Sequence, residues 1–97
     1  PLWRLEGHTD RVFSVAYRPD GKRLASSGGD NLVIIWDPET GKKLYPLRGH
    51  SSGVGSVVFT PDGRYLISAG GYRGTGEIRV WDLEKIEANL QGMAPGR

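Results

Sequence analysis

Ninety-seven residues are one small domain's worth of chain, which on folding buries about 60–65% of the surface it exposes when unfolded. Thirteen Lys and Arg against eleven Asp and Glu leave a formal charge of +2 with the two signs interspersed, so the pI near 9.2 marks a slight excess and no nucleic-acid-binding arm. There is no cysteine, which excludes a disulfide framework and a thiolate metal site, and no apolar run approaches the ~18 residues of a membrane helix or the pattern of a signal peptide. A cytoplasmic setting is the expectation. The chain opens at Pro1 and not at a methionine, which points to a fragment or a trimmed sequence.

Leu2-Trp3-Arg4-Leu5 comes first, ahead of Gly7-His8. Three short apolar runs follow, Val12 to Tyr17, Arg23 to Ser27 and Leu32 to Trp36, and Trp36-Asp37 closes the stretch. The runs are separated by Pro19-Asp20-Gly21 and by Gly28-Gly29-Asp30-Asn31. In such turns Pro pre-sets φ, Gly accepts positive φ, and Asp or Asn folds back on the backbone. Short strands joined in this way predict an antiparallel meander. Asp37 to Gly41 is a polar turn into a fourth strand, Lys43 to Leu47. Pro46 marks it as an outer one, since proline is tolerated at a sheet edge and not in its centre. Three further strands are predicted at Val54–Phe59, Tyr65–Ala69 and Glu77–Trp81. Beyond Asp82 the pattern changes. Leu83, Ile86 and Leu90 have helical spacing, Asp82 can cap and Gly92 can stop a short helix, with a degenerate fourth strand at Ile86 to Leu90 as the alternative.

Adding 42 to the first copy's numbers gives the second copy from Leu2/Leu44 through Gly29/Gly71, including Leu5/Leu47, His8/His50, Val15/Val57, Leu24/Leu66 and Ser26/Ser68. Trp36 to Trp81 is 45, so three extra residues sit within Gly70 to Gly76. A period near 40 bounded by Gly-His and Trp-Asp is the signature of a four-stranded propeller blade. The sequence resembles the WD40 (WD-repeat) family over nearly all of residues 2 to 82, with its motifs twice in register. The resemblance implies an all-β fold. It would hold two four-stranded antiparallel blades, part of a ring completed by self-association or by missing blades. Blade 1 is expected over about residues 8–48 and blade 2 over about 50–82, with the outer strand 2–6 of another copy completing it and 83–92 as a tail.

The resemblance also implies a buried hydrogen-bond chain from Trp through Ser and His to Asp, here Trp36, Ser26, His8 and Asp30. The chemistry suits it: indole only donates, hydroxyl relays, neutral imidazole does both and carboxylate only accepts. In the second copy Trp81, Ser68 and His50 remain, but Tyr72 stands at the Asp30 position, so that network is expected to lack its acid.

No residue is assigned to catalysis, metal or cofactor. His8 and His50 recur at equivalent positions, which reads as structural. Asp37 and Asp82 have no second carboxylate placed to share acid–base work. Gly70 to Gly76 lacks the G-x-x-x-x-G-K of a phosphate loop and reads as a lengthened, mobile and exposed hairpin loop. The basic residues are scattered over turns and strand edges, which reads as a solvated surface and not as a nucleic-acid-binding one. WD-repeat proteins are generally non-catalytic scaffolds, and the resemblance implies protein partners. The face carrying the loops after Gly-His and between strands two and three offers Thr9, Asp10, Arg11, Asp30, Asn31, Ser51 and Ser52. Asp10, Arg11, Tyr72, Arg73 and Thr75 are its candidate partner-binding residues, Tyr and Arg being types enriched at interface hot spots. Two blades cannot close a ring, which typically needs 4–8. Leu2, Trp3 and Leu5 are the candidate assembly strand, and a homo-oligomer of three or four copies is the expectation. The alternatives are a purely structural fragment of a longer bacterial or eukaryotic WD40 signalling protein and a weak nucleic-acid-binding propeller.

Overall fold

The computed structural model describes residues 4–72 and 75–92, without the side chains of residues 72, 75, 91 and 92. Among these residues seven strands form two antiparallel sheets. β1 (Val12–Tyr17), β2 (Leu24–Gly28), β3 (Val33–Asp37) and β4 (Lys42–Leu47) lie in sequence order in one sheet, which is blade 1. β5 (Val54–Phe59), β6 (Tyr65–Tyr72) and β7 (Thr75–Asp82) form the three-stranded blade 2, followed by helix α1 (Leu83–Gly92).

The turns are built alike in the two blades. Asp20 Oδ1 accepts the Lys22 N–H (2.9 Å) and Asp62 Oδ1 the Arg64 N–H (3.0 Å), while Gly21 and Gly63 take φ of +73° and +75°. A glycine is needed there because a Cβ is disfavoured in the left-handed region. Both inner strands also carry an irregularity at the same place, between Val12 and Ser14 and between Val54 and Ser56.

Alternation along each strand gives the blades two unlike faces. Ala25, Val33, Ile35 and Leu47 of blade 1 are buried against Val54, Val57, Phe59 and Leu66 of blade 2, and this single cluster is the core. On the opposite face of blade 1, residues 4–8 lie over Ile34 and Trp36, and only the β1 side is bare. On the other side of β1, Val15 and Tyr17 point away from blade 2 and are exposed.

The stretch from Gly70 to Gly76 also departs from its reading as a loop. β6 and β7 run on into it, pairing Gly70 with Glu77, Gly71 with Gly76 and Tyr72 with Thr75. Ladder hydrogen bonds override the poor strand propensity of glycine. The expected mobility of its tip falls on residues 73 and 74, outside the described residues.

Helix α1 begins where Asp82 Oδ1 accepts the Lys85 N–H at 3.0 Å, an N-cap bond, and Leu83 is driven into the core cluster. Its Glu87 reaches back across the chain. Arg23 Nε and Nη2 donate to the two Glu87 oxygens (2.9 and 3.1 Å), and the Tyr45 hydroxyl donates to Oε2 at 2.6 Å. The chain thus continues from β7 into a helix that turns toward blade 1, where blade 1 itself continues from β3 into a fourth strand. Among the described residues, β7 is paired on its β6 side only. Leu2 and Trp3 lie outside the described residues, and Leu5 carries no strand assignment.

Candidate functional site

Residues 4–8 cross the outer half of blade 1 so closely that a Cβ on Gly7 would stand 3.0 Å from Trp36 Cη2. That close crossing carries His8 into the sheet. Trp36 Nε1 donates to Ser26 Oγ (2.8 Å), and Ser26 Oγ lies 2.7 Å from His8 Nε2. His8 Nδ1 lies 2.9 Å from Asp30 Oδ2, and both side chains are only 5% exposed. A carboxylate can only accept, so Nδ1 carries the proton and Nε2 takes the serine hydrogen. Asp30 also accepts the Thr9 N–H (3.0 Å) and the Leu32 N–H (3.3 Å). Burial pushes its carboxyl up, but the Thr9 N–H, His8 and the Leu32 N–H together outweigh it and hold the group below the ordinary carboxylate range. A Cβ on Gly28 would lie 2.9 Å from His8 Nδ1 and 3.0 Å from Asp30 Oδ1, so a side chain there would break the pair.

Blade 2 repeats most of the chain. Trp81 Nε1 donates to Ser68 Oγ at 2.8 Å, and Ser68 Oγ lies 2.7 Å from His50 Nε2. The acid expected to be missing is supplied by Glu77, whose Oε1 is 2.9 Å from His50 Nδ1. Tyr72, at the Asp30 position by sequence offset, lies at the end of β6 and is not needed. Glu77 sits within β7 opposite Gly70, and its extra methylene spans the distance that Asp30 covers from a turn. The repeat offset points to the turn position, Tyr72, and so passes over Glu77. Counting back from Trp81 finds it, at the place held by Leu32 before Trp36.

A second difference lies two residues further on. Arg79 replaces the fully buried Ile34; its guanidinium lies 5.9 Å from the centroid of Trp81 and 3.5 Å from Glu77 Oε2. Its Nε is buried without a hydrogen-bond partner among the described residues.

These chains brace the loops from inside. Asp30 is thereby withdrawn from the face on which it was expected to meet partners. Asp10 and Arg11 are exposed beside it, Asp10 Oδ1 accepting the Arg11 N–H at 2.7 Å. The candidate contacts Tyr72 and Thr75 close the β6–β7 hairpin, but their side chains and the whole of Arg73 lie outside the described residues. A serine beside a histidine invites a hydrolytic reading, yet Ser26 and Ser68 are buried and each hydroxyl is already shared between indole and imidazole. They act as relays. Among the described residues no group of three His, Asp or Glu side chains gathers to hold a metal ion.

At the opposite end, Arg18 lays its stem over Gly63 and its Nε donates to Asp20 Oδ1 at 3.0 Å, so charged groups of both signs line the space between the two Pro-Asp-Gly turns. Burial raises the Glu87 carboxyl, but Arg23 and Tyr45 outweigh it and hold it low, while burial and Glu87 push the Tyr45 phenol up.

Two antiparallel sheets, each closed by a Trp–Ser–His–acid chain, define blades of a β-propeller repeat protein. The WD domain, G-beta repeat (WD40) matches residues 1–37 and 41–82, and the chain belongs to this family. Similar proteins include the small ribosomal subunit protein RACK1z of Arabidopsis thaliana, 54% identical over 41 residues, which are 42% of this chain and 12% of that protein. The CIAO1 homologue of Ixodes scapularis, named for cytosolic iron–sulfur protein assembly, is 54% identical over 37 residues, 38% of this chain and 12% of its own length. Coronin-7 of Rattus norvegicus is 49% identical over 37 residues, 38% of this chain and 4% of its own. The matched stretches thus span an eighth or less of each relative.

Proposed function

We propose that the chain is a non-catalytic scaffold for protein–protein interaction, which presents its His-side loops to protein partners and assembles head to tail through its blade edges. The observation that carries this reading is the division of labour in the loops. His8–Asp30 and His50–Glu77 pin the backbone from within, and Asp10 and Arg11 stand exposed on the fixed frame. A rigid frame lowers the entropy lost when such side chains are immobilised by a partner. Relatives named for a ribosomal subunit and for iron–sulfur protein assembly support a role within larger protein machinery. For the edge, the outer side of β7 takes Leu2, Trp3 and Leu5 of another copy as its fourth strand. These residues are the equivalents of Leu44, Tyr45 and Leu47 in β4. Repetition of that contact closes a ring of three or four copies.

Capture experiments with the wild-type chain and an Asp10→Lys/Arg11→Glu variant test the loop face. The variant loses defined protein partners while keeping its circular dichroism spectrum. An unchanged set of captured proteins removes these residues from the interface. Light scattering on the chain with and without residues 1–5 tests the edge: the truncated chain is smaller in assembly, and equal masses refute strand donation.

A further inference from the structure

The Glu87 side chain of helix α1 lands on a part of blade 1 that is complete without it. Arg23 Nη1 donates to the carbonyl of its neighbour Lys22 at 2.7 Å, which fixes the guanidinium and leaves Nε and Nη2 side by side for a ligand. The Tyr45 ring packs against the core cluster and holds its hydroxyl beside this fork. The three groups converge on one carboxylate, at 2.9, 3.1 and 2.6 Å. A planar guanidinium takes a planar carboxylate through two parallel hydrogen bonds. Burial and Glu87 push the Tyr45 phenol up, so the hydroxyl keeps its proton and serves as the third donor.

The site belongs to a sheet, its occupant to a short helix. Helix α1 has ten residues, with Leu83 buried in its first turn and Ile86 half-buried one turn later. A helix of that length is marginal in isolation, so it depends on its docking. Solvent also reaches the ion pair. The Arg23 and Glu87 side chains are 25% and 21% exposed. A cleft of about 310 Å³ runs up to Glu87 past Arg18, Arg64 and Glu84. The repeat does not require any of this, because Tyr65 stands in the second copy where Arg23 stands in the first.

We infer that Arg23 and Tyr45 form a binding site for an acidic side chain, Glu or Asp, of a protein partner, and that Glu87 occupies it in the partner's absence. The inference rests on the scaffold reading above and adds a second contact with its own ligand chemistry. An incoming carboxylate takes over the three donors, and α1 loses its tie to blade 1 and melts beyond its first turn. A tethered competitor acts at an effective concentration of roughly a millimolar. A partner already held elsewhere on the scaffold meets the same condition, whereas a free acidic peptide competes poorly. Glu87 therefore reserves the site for bound partners.

Titration of the isotope-labelled full chain with the blocked tripeptide Gly-Glu-Gly, followed at the Arg23 Nε–H resonance, tests this. In the Glu87→Gln chain the resonance shifts saturably with Gly-Glu-Gly and not with Gly-Gln-Gly. Wild type binds the same peptide at least ~10-fold more weakly, because the tethered carboxylate competes. At high peptide concentration the amides of Ile86 to Leu90 in wild type exchange faster, a readout that holds even if Glu87→Gln does not fold. No saturable shift in Glu87→Gln, or an equal response to Gly-Gln-Gly, overturns the site. Equal affinity in wild type and variant, or α1 exchange indifferent to the peptide, overturns the role of Glu87 as its occupant. These results leave the His-side loops to their own test with Asp10→Lys/Arg11→Glu.

Discussion

The acid that holds His8 comes from a turn, Asp30 between β2 and β3, whereas the acid that holds His50 comes from within a strand, Glu77 in β7. Asp30 is buried with three hydrogen-bond donors around it; Glu77 is a third exposed and shares its carboxylate with Arg79. Imidazole Nδ1 requires an acceptor within reach, and the fold does not prescribe which backbone position supplies it. A side chain one methylene longer delivers the acceptor from a strand and frees the turn to lengthen. The two blades therefore differ in how well the same network is sealed from water, which sets the cost of breaking it.

The largest difference is expected at the tryptophans. Trp36 is buried and Trp81 only partly so. Trp36→Phe removes the indole donor from a sealed network and is expected to cost ~2–3 kcal/mol, against ~1 kcal/mol for Trp81→Phe, where water can replace the lost bond. Urea unfolding of the two variants measures both, and equal losses would erase the distinction between the blades.

The acids come next. Asp30→Asn is expected to cost ~2 kcal/mol and Glu77→Gln roughly half of that, the exposed partner being the more easily compensated. The folded state holds Asp30 below its ordinary value of 3.8, so its stabilisation is complete above that pH and is lost as pH falls through the lowered value. Acid titration of stability should accordingly be shallower below about pH 4 for Asp30→Asn than for wild type. An identical acid limb would mean that the carboxylate contributes nothing specific.

The smallest effect has the opposite sign. Ser27 Oγ is buried without a partner among the described residues, at the place where blade 2 carries Ala69. Ser27→Ala is expected to stabilise by about 1 kcal/mol, and the reverse exchange Ala69→Ser, at a half-buried site, to cost roughly 0.5 kcal/mol. A loss of stability in Ser27→Ala would reveal a hidden partner for the hydroxyl.

Most of the scaffold could be read from the chain because the repeat does the work of a template. Val12–Tyr17 and Val54–Phe59 have the bounds of β1 and β5, and Asp82 with the spacing of Leu83, Ile86 and Leu90 marks α1. The reading failed where one copy departs from the other. Four glycines in seven residues look like a loop, and only the partner strand reveals them as a hairpin extended to Tyr72 and Thr75. Glu77 was invisible for a related reason: it is a contact across the sheet and has no equivalent acid in the first copy. The Arg23–Glu87–Tyr45 cluster was beyond the sequence as well, since nothing in residues 83–92 says which strands the helix will reach.

That cluster orders events during synthesis. Glu87 lies 64 positions after Arg23, a delay of roughly 3–13 s at ordinary elongation rates. Closure of a β-hairpin takes microseconds, far less than this delay, so the strands of blade 1 have time to pair before their last partner is made. Until β5 and β6 emerge, the blade 2 residues that bury Val33 and Ile35 are not yet there to cover them. In that interval blade 1 lacks the cover of the chain's own second half. The Glu87 clasp ends it by tying the last-made helix to the first-made sheet.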